Sequence, residues 1–257
     1  MNHAKWIAHF QRNRRNRPEP DWSAPITVCA KTLAPLLSSL EQFRLGDGGG
    51  PAALIASDAE RFRSSSAEMR TIVDCWFAEE AEHARLLGCA VNRFGGRHIT
   101  SHWSFAAFCL CRRTLGVRFE LQVLLLTELV STAYYAVLRR HSPDGPLAAM
   151  CGLILRDEAG HVAFHGERLA AAGRSPLGPS GAAWQVQFWI CGYAAATVLW
   201  TSHGRCLAAI GSSRAEYFRE VRRELKCFIL SLCCAVEPVI RSSGRANRPA
   251  KAIIAGM

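Results

Sequence analysis

The sequence predicts an all-α protein built around a bundle of long helices. Apolar residues recur every three or four positions over long stretches, whereas the alternation of β-branched and polar residues that is typical of strands is scarce. Segments rich in glycine, proline and serine separate these stretches, and residues 142–146 form the clearest turn. With 257 residues, the chain is long enough to bury one large core.

Six helices are expected to follow an N-terminal basic segment. Pro35 falls in the opening turn of the first helix, where proline is tolerated. The glycine-rich run 46–51 should interrupt or kink that helix, and the serines at 64–66 predict the start of the second. The third helix begins either near residue 105 or after Gly116. The predicted helices span about residues 32–62, 67–92, 105–140, 147–172, 182–203 and 213–237.

The net charge of +10 is partly concentrated in the arginine-rich run 11–17. We expect residues 1–25 to form a flexible basic arm and residues 241–257 to form a loose tail. Contact of the arm with nucleic acid or with a membrane is not favoured. Its arginines are not interleaved with aromatic residues, and no recognisable nucleic-acid-binding module is present.

Cysteine usage and hydropathy predict a cytoplasmic protein. The eleven cysteines include no CxxC pair, which favours buried thiols in a reducing compartment over a disulfide scaffold. The longest apolar stretch, 188–200, is too short to cross a bilayer, and the N-terminus shows no apolar signal-peptide segment. Four histidines at predicted linkers and helix ends are expected to be exposed, namely His98, His102, His141 and His203.

Two pairs of acid and histidine lie on the apolar faces of predicted core helices. Glu80 and His83 are three residues apart in the second helix, and Glu158 and His161 repeat this ExxH spacing in the fourth. Each pair shares a stripe with large apolar residues, because positions three, four and seven apart lie on one helix face. Burying such groups without partners would cost several kcal/mol. Two copies therefore predict that something, most simply a cation, pairs them.

The other two bundle helices should each supply one carboxylate to the same interior. Glu128 interrupts a run of leucines in the third helix, where its charge needs a cation. The first helix offers Asp47 or Glu41. Asp47 is preferred because it continues the apolar face of that helix, whereas Glu41 falls at its edge. The spacing agrees, since Asp47 precedes Glu80 by 33 residues and Glu128 precedes Glu158 by 30.

The order carboxylate, ExxH, carboxylate, ExxH on four successive helices resembles the ferritin-like di-iron carboxylate proteins. An acid, 28 intervening residues and Asp-Glu-x-x-His look like the signature of the oxygen-activating members. The segments LGD, EEAEHARLL and RDEAGHVAFH are similar to those of a bacterial ferritin-like group. The resemblance covers about residues 33–170. It implies a ferritin-like four-helix bundle over residues 26–175, with two additional C-terminal helices over 176–240.

The resemblance also implies a cofactor and its ligands. Two iron ions are implied, with manganese as the alternative, because mixed imidazole and carboxylate ligands suit these metals better than zinc or magnesium. Glu79 and Asp157 should each hold the other helix's histidine by its distal N–H. His165 is either a third nitrogen ligand to one iron or a core histidine bonded to an acid. The implied metal ligands are Asp47, Glu80, His83, Glu128, Glu158 and His161.

The function that the resemblance implies is a non-haem di-iron oxidase or oxygenase. It would activate O₂ to oxidise a small organic substrate, with electrons from an external donor. Iron or peroxide handling, as in ferritin or rubrerythrin relatives, is one alternative; a non-catalytic helical binding protein with a relic metal site is another. The apolar fifth helix should pair with the sixth helix or with a second copy in a homodimer. Four aromatic residues could line a substrate pocket or pack in the core, namely Trp76, Phe77, Tyr134 and Tyr135.

Overall fold

The protein is all-helical in the structure, a computed structural model that describes residues 1–48 and 53–246, with side chains described as far as residue 234. Most of the described residues are helical and none forms a strand, so the predicted all-α class is confirmed. The helices are α1 (His3–Arg15), α2 (Ala30–Gly48), α3 (Ala59–Arg63), α4 (Ala67–Arg93), α5 (Trp103–Arg113), α6 (Val117–His141), α7 (Gly145–Ala171), α8 (Gly178–Ala209) and α9 (Arg214–Ala246).

Four long helices, α2, α4, α6 and α7, surround the main core. α2 packs along α4, α6 packs along α7, and α4 contacts α7. Each helix contributes fully buried apolar side chains, for example Leu40, Leu86, Leu125 and Ile154. The two C-terminal helices cover one side of this group, where α8 contacts α2 and α6 and α9 contacts α6 and α7. α8 and α9 also contact each other, while Val186 and Ile190 of α8 remain exposed. The expected homodimer stays a prediction.

The N-terminal segment is not the flexible arm that its arginines predict. Residues His3–Arg15 form α1, which packs against α4 and α7. The Asn2 side chain caps this helix, and Trp6, Phe10 and Asn13 are buried. The three buried residues are spaced four and three apart, so they form one inward face of an amphipathic helix. The expected flexible arm over 1–25 is therefore wrong for residues 3–15, because the basic residues occupy only the outer face.

The predicted helix boundaries fail in two other places and hold in a third. After α2, helical structure resumes only at Ala59–Arg63, so the expected continuation over 52–62 is mostly absent from the described residues. Of the two starts predicted for the third helix, the one after Gly116 is confirmed: α6 begins at Val117, α5 is a separate helix, and the φ of 80° at Gly116 suits glycine alone. α9 continues past Pro238 to Ala246, and the rest of the expected loose tail lies outside the described residues.

α6 is the one described helix that is long and apolar enough to span a membrane by length and composition. In its most apolar window, 67% of the residues are buried inside the protein. Its buried residues include Glu120 and Glu128, which face other protein groups rather than lipid. This degree of burial is typical of the core helix of a soluble protein.

His203 of α8 is buried, contrary to the exposure expected for a histidine near a predicted helix end. Its Nδ1 lies 2.8 Å from Ser39 Oγ, which lies 2.6 Å from the Tyr134 hydroxyl. The Phe43 ring lies 4.3 Å from the imidazole, centroid to centroid. Burial lowers the pKa of His203 to about 3, so the ring is neutral. The expectation failed because α8 continues to Ala209, which places His203 inside the helix and against α2.

Phe10→Ala tests whether α1 is part of the folded core. Phe10 is 2% exposed and contacts the rings of Phe164 and His161. Removing a buried phenylalanine side chain costs about 3–5 kcal/mol, and we expect a loss of that size in urea unfolding. The control Arg14→Ala, on the exposed face of the same helix, should change stability by less than about 0.5 kcal/mol. Equal effects of the two substitutions would show that α1 does not contribute to the core.

Candidate metal centre

The ExxH pairs of α4 and α7 face each other across the bundle interior. On α4, His83 follows the apolar positions Ile72 and Trp76 along one stripe, and on α7, His161 follows Cys151 and Ile154. The two helices run antiparallel there, so each ExxH meets the other at the same level. His83 and His161 are both 0% exposed, and their ring centroids lie 5.9 Å apart. The interior between these helices therefore holds two imidazoles in an otherwise apolar core.

Two groups of side chains in this interior could each hold a metal ion. In the first, His161 Nδ1 lies 3.1 Å from Glu80 Oε1 and 3.8 Å from Glu128 Oε1. In the second, His83 Nδ1 lies 3.7 Å from Glu80 Oε2 and 3.8 Å from Glu158 Oε1. Within each group the candidate ligand atoms lie within 4.8 Å of one another. Three helices thus bring together five of the six predicted ligands.

Glu80 belongs to both groups, one carboxylate oxygen facing each histidine. Glu158 is placed similarly, because its Oε2 lies 3.6 Å from His161 Nδ1 while its Oε1 faces His83. Carboxylates in such positions could bridge two cations. Glu80 keeps 17% side-chain exposure, more than the 6% of Glu158 or the 8% of Glu128. The cluster is therefore least covered on the side of Glu80.

Several inward atoms of the cluster have no hydrogen-bond partner among the described residues, despite these short separations. They are His83 Nδ1, His161 Nδ1, Glu128 Oε2 and Glu158 Oε2. Leaving a buried donor or acceptor unsatisfied costs about 1–3 kcal/mol, and more for a charged group. Cations between the carboxylates and the imidazoles would satisfy the two Nδ1 atoms and Glu158 Oε2, so the donor set fits a binuclear metal centre.

The outer nitrogens of both histidines are held crosswise by acids from the opposite helix. Asp157 Oδ2 of α7 lies 3.1 Å from His83 Nε2 of α4, and Glu79 Oε2 of α4 lies 3.0 Å from His161 Nε2 of α7. An acid on Nε2 fixes the tautomer that leaves the Nδ1 lone pair facing inward. This is the arrangement that the sequence predicts for Glu79 and Asp157.

Burial and charge shift the pKa of the central groups strongly. Burial lowers the pKa of His83, but its hydrogen bond to Asp157 and the negative charge of Glu80 outweigh burial and raise the pKa to about 10. Burial raises the pKa of Glu128 to about 8 and that of Glu158 to about 7. At neutral pH the metal-free cluster therefore holds protons, which partly compensate the negative charge where cations would bind.

Asp47, at the end of α2, belongs to the same electrostatic cluster. Burial, and then the charge of Glu80, raise its pKa well above the usual aspartate value. Glu41, the alternative first-helix ligand, points elsewhere, because its Oε1 accepts a hydrogen bond from the Arg97 backbone N–H at 2.7 Å. The structure therefore favours Asp47 over Glu41 as the carboxylate that α2 contributes.

His165 lies beside this cluster, with Nε2 3.4 Å from Glu128 Oε2. Its Nδ1 lies 3.3 Å from Nη2 of Arg168, and since a guanidinium only donates, Nδ1 is the acceptor. Burial and the charge of Arg168 lower the pKa of His165 well below its usual value. A neutral imidazole that accepts at Nδ1 carries its proton on Nε2, and so has no lone pair left for a metal. This geometry argues against a third nitrogen ligand and favours a core histidine, whose Nε2 faces Glu128 without a hydrogen bond to it.

Of the four aromatic residues predicted near the metals, one lines a cavity. Phe77 forms part of the wall of a half-open cavity of about 530 Å³ between α4, α3 and residues 53–57. Trp76 packs between His161 and His165, with ring centroids 6.1 and 5.0 Å away. Tyr134 and Tyr135 are fully buried in the core beside Phe43. No candidate metal ligand is among the described residues that line the cavity, which is linked to the cluster only through α4, on which Phe77 and Glu80 are three residues apart.

Sequence reasoning missed the residues that hold Asp157 from outside. Arg17 Nη2 lies 2.5 Å from Asp157 Oδ2, with both side chains buried, and Asn13 Nδ2 lies 3.4 Å from Oδ1. Arg156 donates to Oδ1 as well. Burial raises the pKa of Asp157, but its hydrogen bond to His83 and these cations lower it to about 2. The Trp6, Phe10, Asn13 spacing was the available signal, since it places Asn13 on the inner face of α1.

Comparisons with known proteins provide no relative for this chain: no family model, curated protein or solved structure matches it.

The raised pKa values predict that the metal-free protein loses stability as pH rises. The raised pKa values of Glu158 and Glu128 contribute to the free energy of unfolding. This contribution is complete below their unfolded pKa of about 4.5 and is lost as the pH rises through about 7 for Glu158 and about 8 for Glu128. His83 acts in the same direction between about 6.5 and 10. We expect chelator-treated protein to melt several degrees lower at pH 8.5 than at pH 6.5, since about 1–2 kcal/mol corresponds to about 2–8 °C here. Glu128→Gln should flatten this dependence, and equal melting temperatures for the wild type would contradict it.

Arg17→Met tests the buried ion pair with Asp157. Leaving a buried carboxylate with one partner fewer should cost roughly 3 kcal/mol in urea unfolding. The matched control is Arg63→Met, which removes an arginine whose partner Asp74 is half exposed, and should cost less than about 1 kcal/mol. If the two variants lose the same stability, Arg17 does not hold Asp157 in solution.

Proposed function

We propose that this chain is a ferritin-like di-iron carboxylate protein that activates O₂ to oxidise a small organic substrate. The observation that carries the proposal is the crosswise pairing of two ExxH segments. Glu80 and Glu158 lie between His83 and His161, and each histidine is fixed from outside by an acid of the opposite helix. Acids and histidines that were only solvated, or only part of the core, would not need both Nδ1 atoms directed inward and both Nε2 atoms held from outside by acids.

The residues divide into two candidate ligand sets that share Glu80. His83, Glu80 and Glu158 would hold one ion, and His161, Glu80 and Glu128 the other, with Asp47 beside them. Imidazole and carboxylate donors in this ratio suit iron, with manganese as its competitor. Iron bound there would supply O₂ activation, with electrons from an external donor. The chain's own groups would orient the ligands through Glu79 and Asp157.

Oxidation of an organic substrate fits the surroundings better than iron storage. The cavity beside Phe77 is lined largely by apolar residues, including Leu54, Ile55 and Val73. An apolar lining of this kind suits an organic molecule, whereas a channel that carries iron ions to a storage site needs acidic side chains along its length. The charged residues Glu60 and Asp74 lie at this cavity, but Arg63 pairs with both. We also place the protein in the cytoplasm, since none of the eleven cysteines forms a disulfide in the described part of the chain, although only Cys151 and Cys206 are buried as expected.

Metal stoichiometry and O₂ uptake test this function. Protein loaded with Fe(II) under anaerobic conditions should bind about two irons per chain. His161→Ala should reduce this to one or fewer, because His161 faces three carboxylates in the cluster. The control Glu82→Gln alters the same helix on its outer face, where Glu82 pairs with Arg85, and should leave two irons bound.

On adding O₂, the loaded protein should consume about one O₂ per two irons without forming a mineral. Continued iron uptake with mineral growth would support storage instead. A wild-type chain that binds no iron or manganese would sink the proposal, provided that circular dichroism shows an intact helical fold.

A further inference from the structure

Arg168 lies on α7 three residues beyond His165, on the face that carries His161. Its Nη2 donates a hydrogen bond to His165 Nδ1 at 3.3 Å, and its Nε has no hydrogen-bond partner among the described residues. Burial lowers the pKa of Arg168 to about 10, which still leaves the guanidinium charged at neutral pH. The proposed metal site thus has a positive charge at one end.

Three other arginines with buried or part-buried side chains each have a carboxylate. Arg17 pairs with Asp157, Arg93 with Asp144 at 2.9 Å, and Arg112 with Glu120 at 2.9 Å. Arg168 has no carboxylate oxygen within 4.0 Å among the residues that the structure describes. Arg168 therefore differs from these three arginines in that its charge beside the cluster has no protein carboxylate as a partner in the described structure.

A second donor without a described partner lies beside His165. Trp76 is 1% exposed, and its ring meets the His165 ring edge-on at 5.0 Å between centroids. Its Nε1 has no hydrogen-bond partner among the described groups. Buried tryptophan N–H groups normally find an acceptor. Two N–H groups beside His165, those of Arg168 Nε and Trp76 Nε1, therefore lack a hydrogen-bond acceptor within the described chain, and the charge of Arg168 favours an anionic one.

We propose that Arg168 and Trp76 bind the carboxylate of a monoanionic organic acid, the substrate class of the metal site. The guanidinium presents parallel N–H groups that match the two oxygens of a carboxylate. A single cation next to Glu128 suits one negative charge rather than the two of a phosphate ester. This inference rests on the proposed function, since it assigns the substrate to that centre.

The position of Arg168 also limits the size of the acid. Helix geometry places its Cα about 10 Å beyond that of His161 along α7 and about 4.5 Å beyond that of His165. An acid whose carboxylate binds Arg168 must therefore be several bonds long for its other end to reach the metal ligands. A short-chain aliphatic acid or an aromatic acid has this reach, whereas formate or acetate does not.

The experiment measures binding of two acid probes, benzoate and hexanoate, to anaerobic protein loaded with Mn(II), which does not react with O₂ in the assay. Calorimetry should show binding of at least one of these acids and no binding of benzamide or hexanamide. Arg168→Met should weaken binding of that acid at least about tenfold, the effect of losing a charged hydrogen bond. Trp76→Phe, which keeps the ring and removes the N–H, should weaken it by about threefold or more. Arg174→Met, an exposed arginine near the end of α7, is the control for net charge and should have no effect.

Metal content is measured on the same samples, so that the two proposals can fail separately. A wild-type chain without metal refutes the proposed function. A chain with two metals that binds neither acid, or that binds the amides equally well, overturns only the assignment of Arg168 and Trp76. Equal binding by Arg168→Met, loss of metal in that variant, or a preference for phenyl phosphate over benzoate would overturn it too.

Discussion

The structure depends on one constraint: charged and polar groups buried between α4 and α7 must be neutralised. Glu80, Glu158 and Glu128 bring three carboxylates into an apolar interior with two imidazoles. Removing such charges from water is unfavourable unless each finds a counter-charge or a hydrogen bond. In the metal-free chain protons supply part of this compensation, as the raised pKa values of His83 and Glu128 indicate. Bound cations would neutralise the carboxylates and would also be coordinated by the Nδ1 atoms of His83 and His161.

The same constraint explains why α1 belongs to the fold. Asp157 clamps His83 and therefore must be buried, but a buried aspartate with only one imidazole partner would be costly. Arg17 and Arg156 provide positive charge from outside, and Asn13 provides a neutral donor. Glu79, the counterpart on the other side, has no arginine, and its Oε1 has no hydrogen-bond partner among the described residues. The His83 and His161 sites are thus alike in their candidate ligands, but only the acid that holds His83 is paired with arginines.

Positive charge therefore has two uses in this protein. At Asp157 it neutralises an acid that the fold requires, whereas at Arg168 it has no protein acid to neutralise. The cavity beside Phe77 lies between α3 and α4, and its walls are largely apolar, as in many sites for small organic ligands.

The sequence by itself determined the helical class, the bundle helices that carry the ExxH pairs, and the identity of the inward acids and histidines. It could do so because the period of a helix fixes which residues share a face, and a polar residue on an apolar face needs a partner. Only the tertiary structure decided the rest. The crosswise contacts of Glu79 and Asp157 were expected from the resemblance alone, and their distances depend on how α4 and α7 pack. The burial of His203, the hydrogen bond that Glu41 accepts from the Arg97 backbone, and the binding of Arg17 to Asp157 depend on contacts between residues 56 or more apart, or on where a helix ends. Local periodicity contains no information about such distances, so the partners of these groups appear only when the helices are packed together.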